Sequence, residues 1–387
     1  MKRLFETIRL NIKLRRAMKK LKSQDAQVRS TAAMELGEIR DPCRISYLID
    51  SLGDESADVR EAAATWLGTL GDDRAVEPLR NCWWRPEWAS INHRSQDGDG
   101  YEWAHVPLEA VARSLAKLGK SGIRALVDIL GNEDAREPSA AFNAIVSVGS
   151  EAVPTLLELA EQKPQCLSIL LDVLREIGDT RAEQLFRSEV SNPDPVVRVA
   201  VAKALAGMTG ADVATQLLSL LDDDHDRVRE EAALALGAQG NAASVPRLIR
   251  SLGDDSAYVR AKAAYALGRI GDKRALDPLI GVFENVDPSK CYGPNYEAES
   301  YRHELKATAT AMTQLQSPFL SKILGELLYK HNDAFRPKAL AQALVNSGTP
   351  DLVALGQEWV KHKGYKYTTC WCEDPWGTRR KRRELCG

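Results

Sequence analysis

A chain of 387 residues that is 44% hydrophobic and only 6% aromatic has room for two or three domains or one long repeat array. It holds no apolar run near the ~20 residues of a membrane span. Its formal charge of −2 conceals an asymmetry: residues 1–22 carry +8, residues 361–387 carry +5, and the body between them carries −15. Seven cysteines at irregular spacing argue against a secreted disulfide framework. The N-terminus lacks the apolar core of a secretory signal, so the expected location is cytoplasmic.

The first element is a helix within residues 1–22, with Leu4, Phe5, Ile8, Ile12, Leu14, Met18 and Leu21 among nine Lys and Arg. Such a helix either caps the open end of a helical stack or lies on an anionic membrane surface.

From residue 23 the chain repeats itself. DESADVREAAATWLGTLGD from Asp54, DDHDRVREEAALALGAQGN from Asp223 and DDSAYVRAKAAYALGRIGD from Asp254 align without gaps. Segments from Ser23 and Asn192 fit the same frame. Arg29 and Arg60, and again Arg198, Arg229 and Arg260, recur at 31-residue steps. Each unit reads as two helices. The first opens after an Asp/Ser/Asn turn that can cap its N–H groups and continues as VRxxAAxxLG, apolar at helical spacing. Gly71-Asp72, Gly178-Asp179 and Gly271-Asp272 suit a left-handed helix end. The second helix holds Pro78, Pro246 or Pro278 in its first turn, where a missing N–H costs little. The repeated Arg and Asp are expected to form a ladder between neighbouring turns rather than a catalytic set.

The period fails in three places. Residues 83–105, WWRPEWASINHRSQDGDGYEWAH, interrupt the array between a second helix and the next first helix. Five of the eight tryptophans gather at or near this insertion, at Trp66, Trp83, Trp84, Trp88 and Trp103, together with Tyr101. Trp66 takes the slot that is Ala204, Ala235 and Ala266 elsewhere. The insertion is either an aromatic plug on the stack or a recognition loop, since Trp, Tyr and Arg dominate binding hot spots. A second insertion at 284–301 carries Tyr292, Tyr296 and Tyr301, with His303 beside it. Both insertions follow a second helix, so both are expected on one rim of the stack. The tail, 361–387, combines Trp371 and Trp376 with Arg379, Arg380, Lys381, Arg382 and Arg383. Basic groups among aromatics suit phosphate contact and base stacking, an acidic protein surface, or a solvated end. Cys370, Cys372 and Cys386 lack the wider Cys-x2-Cys spacing of zinc knuckles, so no metal site is assigned, although the three with His362 are the alternative.

The Asp-x-x-Val-Arg, Ala-Ala-x-x-Leu-Gly and Gly-Asp elements resemble bacterial HEAT repeats of the phycobilisome-lyase type. The resemblance is clear over 23–83 and 192–284 and degenerate over 107–190 and 302–360. It implies an all-α superhelical solenoid of about ten helix pairs over 23–360. It says little of activity, because one repeat fold hosts many functions. Deoxyhypusine hydroxylase, a HEAT-repeat enzyme, needs several His-Glu pairs, and this chain has His303-Glu304 alone. HEAT-like phycobilin lyases and isomerases are the enzymatic alternative. Some carry an Asp/Gly/Tyr-rich insertion, and QDGDGYEWAH is similar, which would imply a bilin ligand. A nucleic-acid-binding HEAT protein wants a basic face, whereas this body is acidic. The favoured reading is a non-catalytic, cofactor-free scaffold that takes a protein partner on its concave surface and aromatic rim loops.

Overall fold

The computed structural model describes residues 2–39, 43–85, 92–94, 101–103, 107–291, 296–315, 317, 319–333 and 335–363. Among these are twenty-one α-helices, a helix Lys2–Lys20 followed by ten successive first-and-second helix pairs. The single departure from helix and turn among them is a two-stranded antiparallel ribbon inside the first insertion, pairing Asn92 with Trp103, His93 with Glu102 and Arg94 with Tyr101. The DGDG stretch that connects the strands lies outside the described residues. The chain forms two compact units, residues 1–208 and 209–387.

Sequence chemistry sets the helix ends. Gly71, Gly178, Gly240 and Gly271 close first helices at φ between 65° and 73°, a region only glycine enters without strain. The next residue then caps a short 3-10 turn: Asp72, Asp179, Asn241 and Asp272 accept the N–H two positions on at 2.9–3.0 Å. Asp25 and Asp194 cap the following class of first helix through Gln27 and Val196, both at 2.8 Å. As expected, Pro78, Pro246 and Pro278 all fall in the first turn of a second helix.

In the first unit the first helices Ala26–Glu38, Ala57–Leu70, Pro107–Lys117 and Pro138–Val148 pack in succession, and in the second unit Asp226–Gln239, Ala257–Ile270, Tyr296–Gln314 and Arg336–Asn346 do the same. The Leu-Gly of the repeat explains how they approach. A Cβ on Gly237 would stand 2.7 Å from Cα of Ala266, and one on Gly268 would stand 2.7 Å from Cα of Ala311. Gly37 meets the Trp66 ring in the same way, with Cδ2 at 1.9 Å from the absent Cβ. Several second helices bury residues at i, i+3 and i+7, such as Ile45, Leu48 and Leu52, or Val245, Leu248 and Leu252. Each such side chain contributes about 1.5–3 kcal/mol on burial.

Candidate partner-binding site

Regular junctions are closed by the recurring arginine. Nε and Nη2 of Arg29 donate to the two carboxylate oxygens of Asp54, each at 2.8 Å, while Nη1 donates to the carbonyls of Ser23 and Gln24 at 3.0 Å. Arg229 repeats this with Asp254, at 2.8 and 2.9 Å, and with the carbonyls of Asp223 and Asp224. Each guanidinium thus ties its own turn to the turn 25 residues further on. Burial pushes the Asp54 carboxyl up, but the hydrogen bonds from Arg29 and the Ser56 N–H outweigh it and hold it below the ordinary value. This is the ladder that the period predicts, and it leaves these charges committed to the stack.

The second insertion changes the wiring. The residue 25 positions after Arg260 is Asn285, and the aspartate turn is displaced two residues to Asp287, which accepts the Ser289 N–H at 2.9 Å. Nε and Nη2 of Arg260 instead donate to Glu304, at 2.6 and 2.7 Å, across 44 residues. Glu304 is 2% exposed, on the helix Tyr296–Gln314. Nη1 keeps its usual role on the carbonyls of Asp254 and Asp255. The Glu304 carboxylate holds the guanidinium above its ordinary pKa against the pull of burial.

Around this displaced pair lies a cleft of about 480 Å³. Its walls are Ile249, Leu252, Pro278 and Val282 from two neighbouring second helices. Arg260, Glu304, Tyr301 and Lys290 also line it. Lys290 donates to the Tyr301 hydroxyl at 3.2 Å and its ammonium lies 5.1 Å from that ring's centre. The Arg260 guanidinium lies 5.8 Å from the same centre. With two cations and with Asp287 and Glu304 as two anions, the cleft has no net charge. Apolar walls, a phenol and a movable ammonium suit an apolar side chain presented on a polar backbone.

Below the cleft the end of Leu276–Asn285 is held by Arg336, whose Nε donates to the Phe283 carbonyl at 3.2 Å and whose Nη2 donates to the carbonyls of Glu284, at 2.8 Å, and Val286. Asp333 in turn accepts from Arg336 at 3.2 Å. A guanidinium on the last carbonyls of a helix is favoured by their partial negative charge. Arg336, Arg260 and Glu304 had no place in the sequence-derived site. The one signal for them was the displaced aspartate after Arg260.

The predicted site residues fare differently from one another. Trp83 is fully buried, and its indole N–H donates to the Arg136 carbonyl at 2.6 Å. It occupies the i+7 position after Val76 and Leu79, the slot of Leu52, Leu252 and Phe283, so it is a core residue where a recognition residue was expected. Trp84, the next residue, is 38% exposed. Trp66 is half-buried over Gly37. Tyr101 and Trp103 lie on the second strand of the ribbon, and Trp88 lies outside the described residues. Tyr301 is half-buried in the cleft, whereas Tyr296 opens its helix and Tyr292 lies outside the described residues. His303 is half-buried, with Nδ1 3.0 Å from the Glu299 carbonyl and its ring centre 6.2 Å from that of Tyr258. It sits beside the cleft rather than among its lining residues. Trp371, Trp376, the basic run 379–383 and Cys370, Cys372 and Cys386 all lie outside the described residues. Among the described residues no group of His, Cys, Asp and Glu is placed to hold a metal. Burial pushes the Cys166 and Cys291 thiols up, away from thiolate reactivity.

The stacked helix pairs, closed by an arginine ladder, define an α-solenoid. The HEAT-repeat family model matches residues 14–95, 164–237 and 215–290, together more than half of the chain, and the protein belongs to that family. No curated protein matches this sequence. Similar solved structures include Kap121p bound to Ste12p, 16% identical over 90% of this chain and 43% of that one, TM-score 0.52. Kap121p bound to Nup53p is also similar, 16% identical over 90% and 43%, TM-score 0.50. The chain therefore spans less than half the length of Kap121p. The CpcE–CpcF complex of phycocyanin lyase from Nostoc sp. PCC7120 matches at 23% identity over 69% of this chain and 91% of that one, TM-score 0.25. The likeness to the Kap121p structures establishes the fold alone. No single described helix is long and apolar enough to cross a membrane.

Proposed function

We propose that this protein is a non-catalytic, cytoplasmic HEAT-repeat scaffold that captures a protein partner by seating an apolar side chain in the cleft at Tyr301. The observation that carries the reading is the displaced junction. Where a regular repeat packs its next aspartate turn over the arginine, this one leaves an apolar-walled opening of about 480 Å³ with its ion pair already satisfied. A satisfied pair asks for no anionic substrate, so shape and apolar contact decide what enters. Trp84, exposed beside the first insertion, is a second contact of the hot-spot type. The Kap121p structures, which carry Ste12p and Nup53p, support the idea that such a repeat array takes protein ligands.

The test is affinity purification of the full chain from its native host, compared with Gly281→Phe and Tyr301→Ala. Gly281 lines the cleft and a Cβ there meets nothing within 4 Å, so Phe fills the space without disturbing the helix packing. Loss of a specific co-purifying protein with both variants is expected. Undiminished capture by the filled-cleft variant refutes the reading. An absorbance scan of the purified wild type distinguishes the bilin alternative, which requires a visible band that neither reading of a plain scaffold produces.

A further inference from the structure

The geometry points to a second surface: we infer that the helix Lys2–Lys20 docks on anionic lipid bilayers through the face it turns away from the repeats. Leu14 and Ala17 are buried, and the helix packs on Ala26–Glu38. Arg9, Lys13, Arg15, Arg16 and Lys19 are all exposed, and none of the five has an ion-pair partner among the described residues. Among the described cations of this helix only Lys20 is paired, with Glu35 at 2.5 Å.

Capping the stack requires only the Leu14 and Ala17 side, so it leaves five unpaired cations on one helix unexplained. Their arrangement is specific. Ile12 is 48% exposed, and Arg9, Arg15 and Arg16 stand three or four residues from it, one helical turn away, with Lys19 two turns away. An isoleucine is thus ringed by cations.

The apolar centre decides which polyanion fits. On a nucleic acid the phosphates would meet the cations, but Ile12 would face a charged backbone and gain nothing. On a bilayer the cations meet anionic headgroups while Ile12 enters the acyl boundary. The acidic body, at −15, is repelled by the same surface, which favours contact through this helix.

The test is sedimentation of the full chain with lipid vesicles. Binding is expected to vesicles containing about one third phosphatidylserine, to be absent with phosphatidylcholine alone, and to fall steeply at high salt. Each cation removed should lower the partition about five-fold, so the triple variant Arg9→Gln, Lys13→Gln, Arg16→Gln should lose about 100-fold. Ile12→Asp should also release the protein. All four positions are exposed, so circular dichroism should be unchanged. Equal binding to neutral vesicles, or unchanged partition of the triple variant, overturns the inference. So does retention of an oligonucleotide without vesicle binding. Salt-sensitive self-association lost in the triple variant, without vesicle binding, also overturns it and names the acidic body of a second copy as the occupant.

Discussion

Trp83→Ala separates the core from the recognition surface. The side chain is fully buried and its N–H is held at 2.6 Å by the Arg136 carbonyl. Burying an indole removes about 200 Å² from water, which at ~25 cal/mol per Å² gives about 5 kcal/mol as an upper bound. Part of that area is retained by alanine and the cavity partly relaxes, so a loss of about 4 kcal/mol is expected, in the usual range for a buried Trp. Trp83→Phe keeps the slot filled, as Phe283 fills its equivalent, and should lose only about 1–2 kcal/mol. Urea unfolding of the full chain followed by circular dichroism reads the total effect. Hydrogen exchange in the segments around Arg80 and Arg136 reads its location. Trp84→Ala, by contrast, should change stability by less than about 1 kcal/mol while weakening partner capture. If Trp83→Ala unfolds at the wild-type midpoint with unchanged exchange, the reasoning from burial is refuted.

Glu304→Val installs the apolar residue type that buried Val59, Val228 and Val259 supply in first helices, but it strands Arg260 in a half-buried site. A loss of about 3–5 kcal/mol is expected, and Arg260→Met in the same chain should recover part of it. Additive losses in urea melts would contradict this. Acid should act on the carboxylates whose partners hold them low: Asp54, Asp72, Glu158, Asp179, Asp333 and Asp272, the last pulled down to about 2 by Arg274. Their folded values lie below the unfolded ones, so the stability they contribute is complete above about pH 5 and is lost as pH falls through the folded values. A circular-dichroism titration that is flat down to about pH 2 would deny it. Gly178→Ala adds a Cβ that meets nothing within 4 Å but must adopt φ near 70°, so a loss of about 1 kcal/mol is expected, read as a lowered Tm.

Much of the fold was legible in the sequence because the repeat chemistry is local. Gly-Asp turns report the left-handed end and the cap together, and the 31-residue step places Arg29 against Asp54. The aromatic cluster was harder to read, because Trp83 and Trp84 are neighbours with opposite fates. Composition makes them equivalent, whereas the Val76, Leu79, Trp83 spacing assigns only the first to the core. That signal was present, but insertion boundaries drawn at 83 hid it. The cleft was not legible because it depends on where Glu304 lands after the insertion. In sequence Glu304 is simply the second half of a His-Glu pair.

The handover from an aspartate turn to Glu304 has a consequence for how this array tolerates change. In a regular junction, the segment leaving the second helix must arrive at a fixed residue count, because its aspartate completes the arginine of the repeat before. At Arg260 that obligation has passed to a helix. The segment between Asn285 and Ser300 no longer has to deliver an aspartate at a fixed count, although Val286, Cys291 and Ala298 stay buried and tie it to the stack. Its exposed residues Asp287, Ser289 and Lys290 can change without unmaking the Arg260–Glu304 pair, which makes this junction a natural place to alter binding specificity.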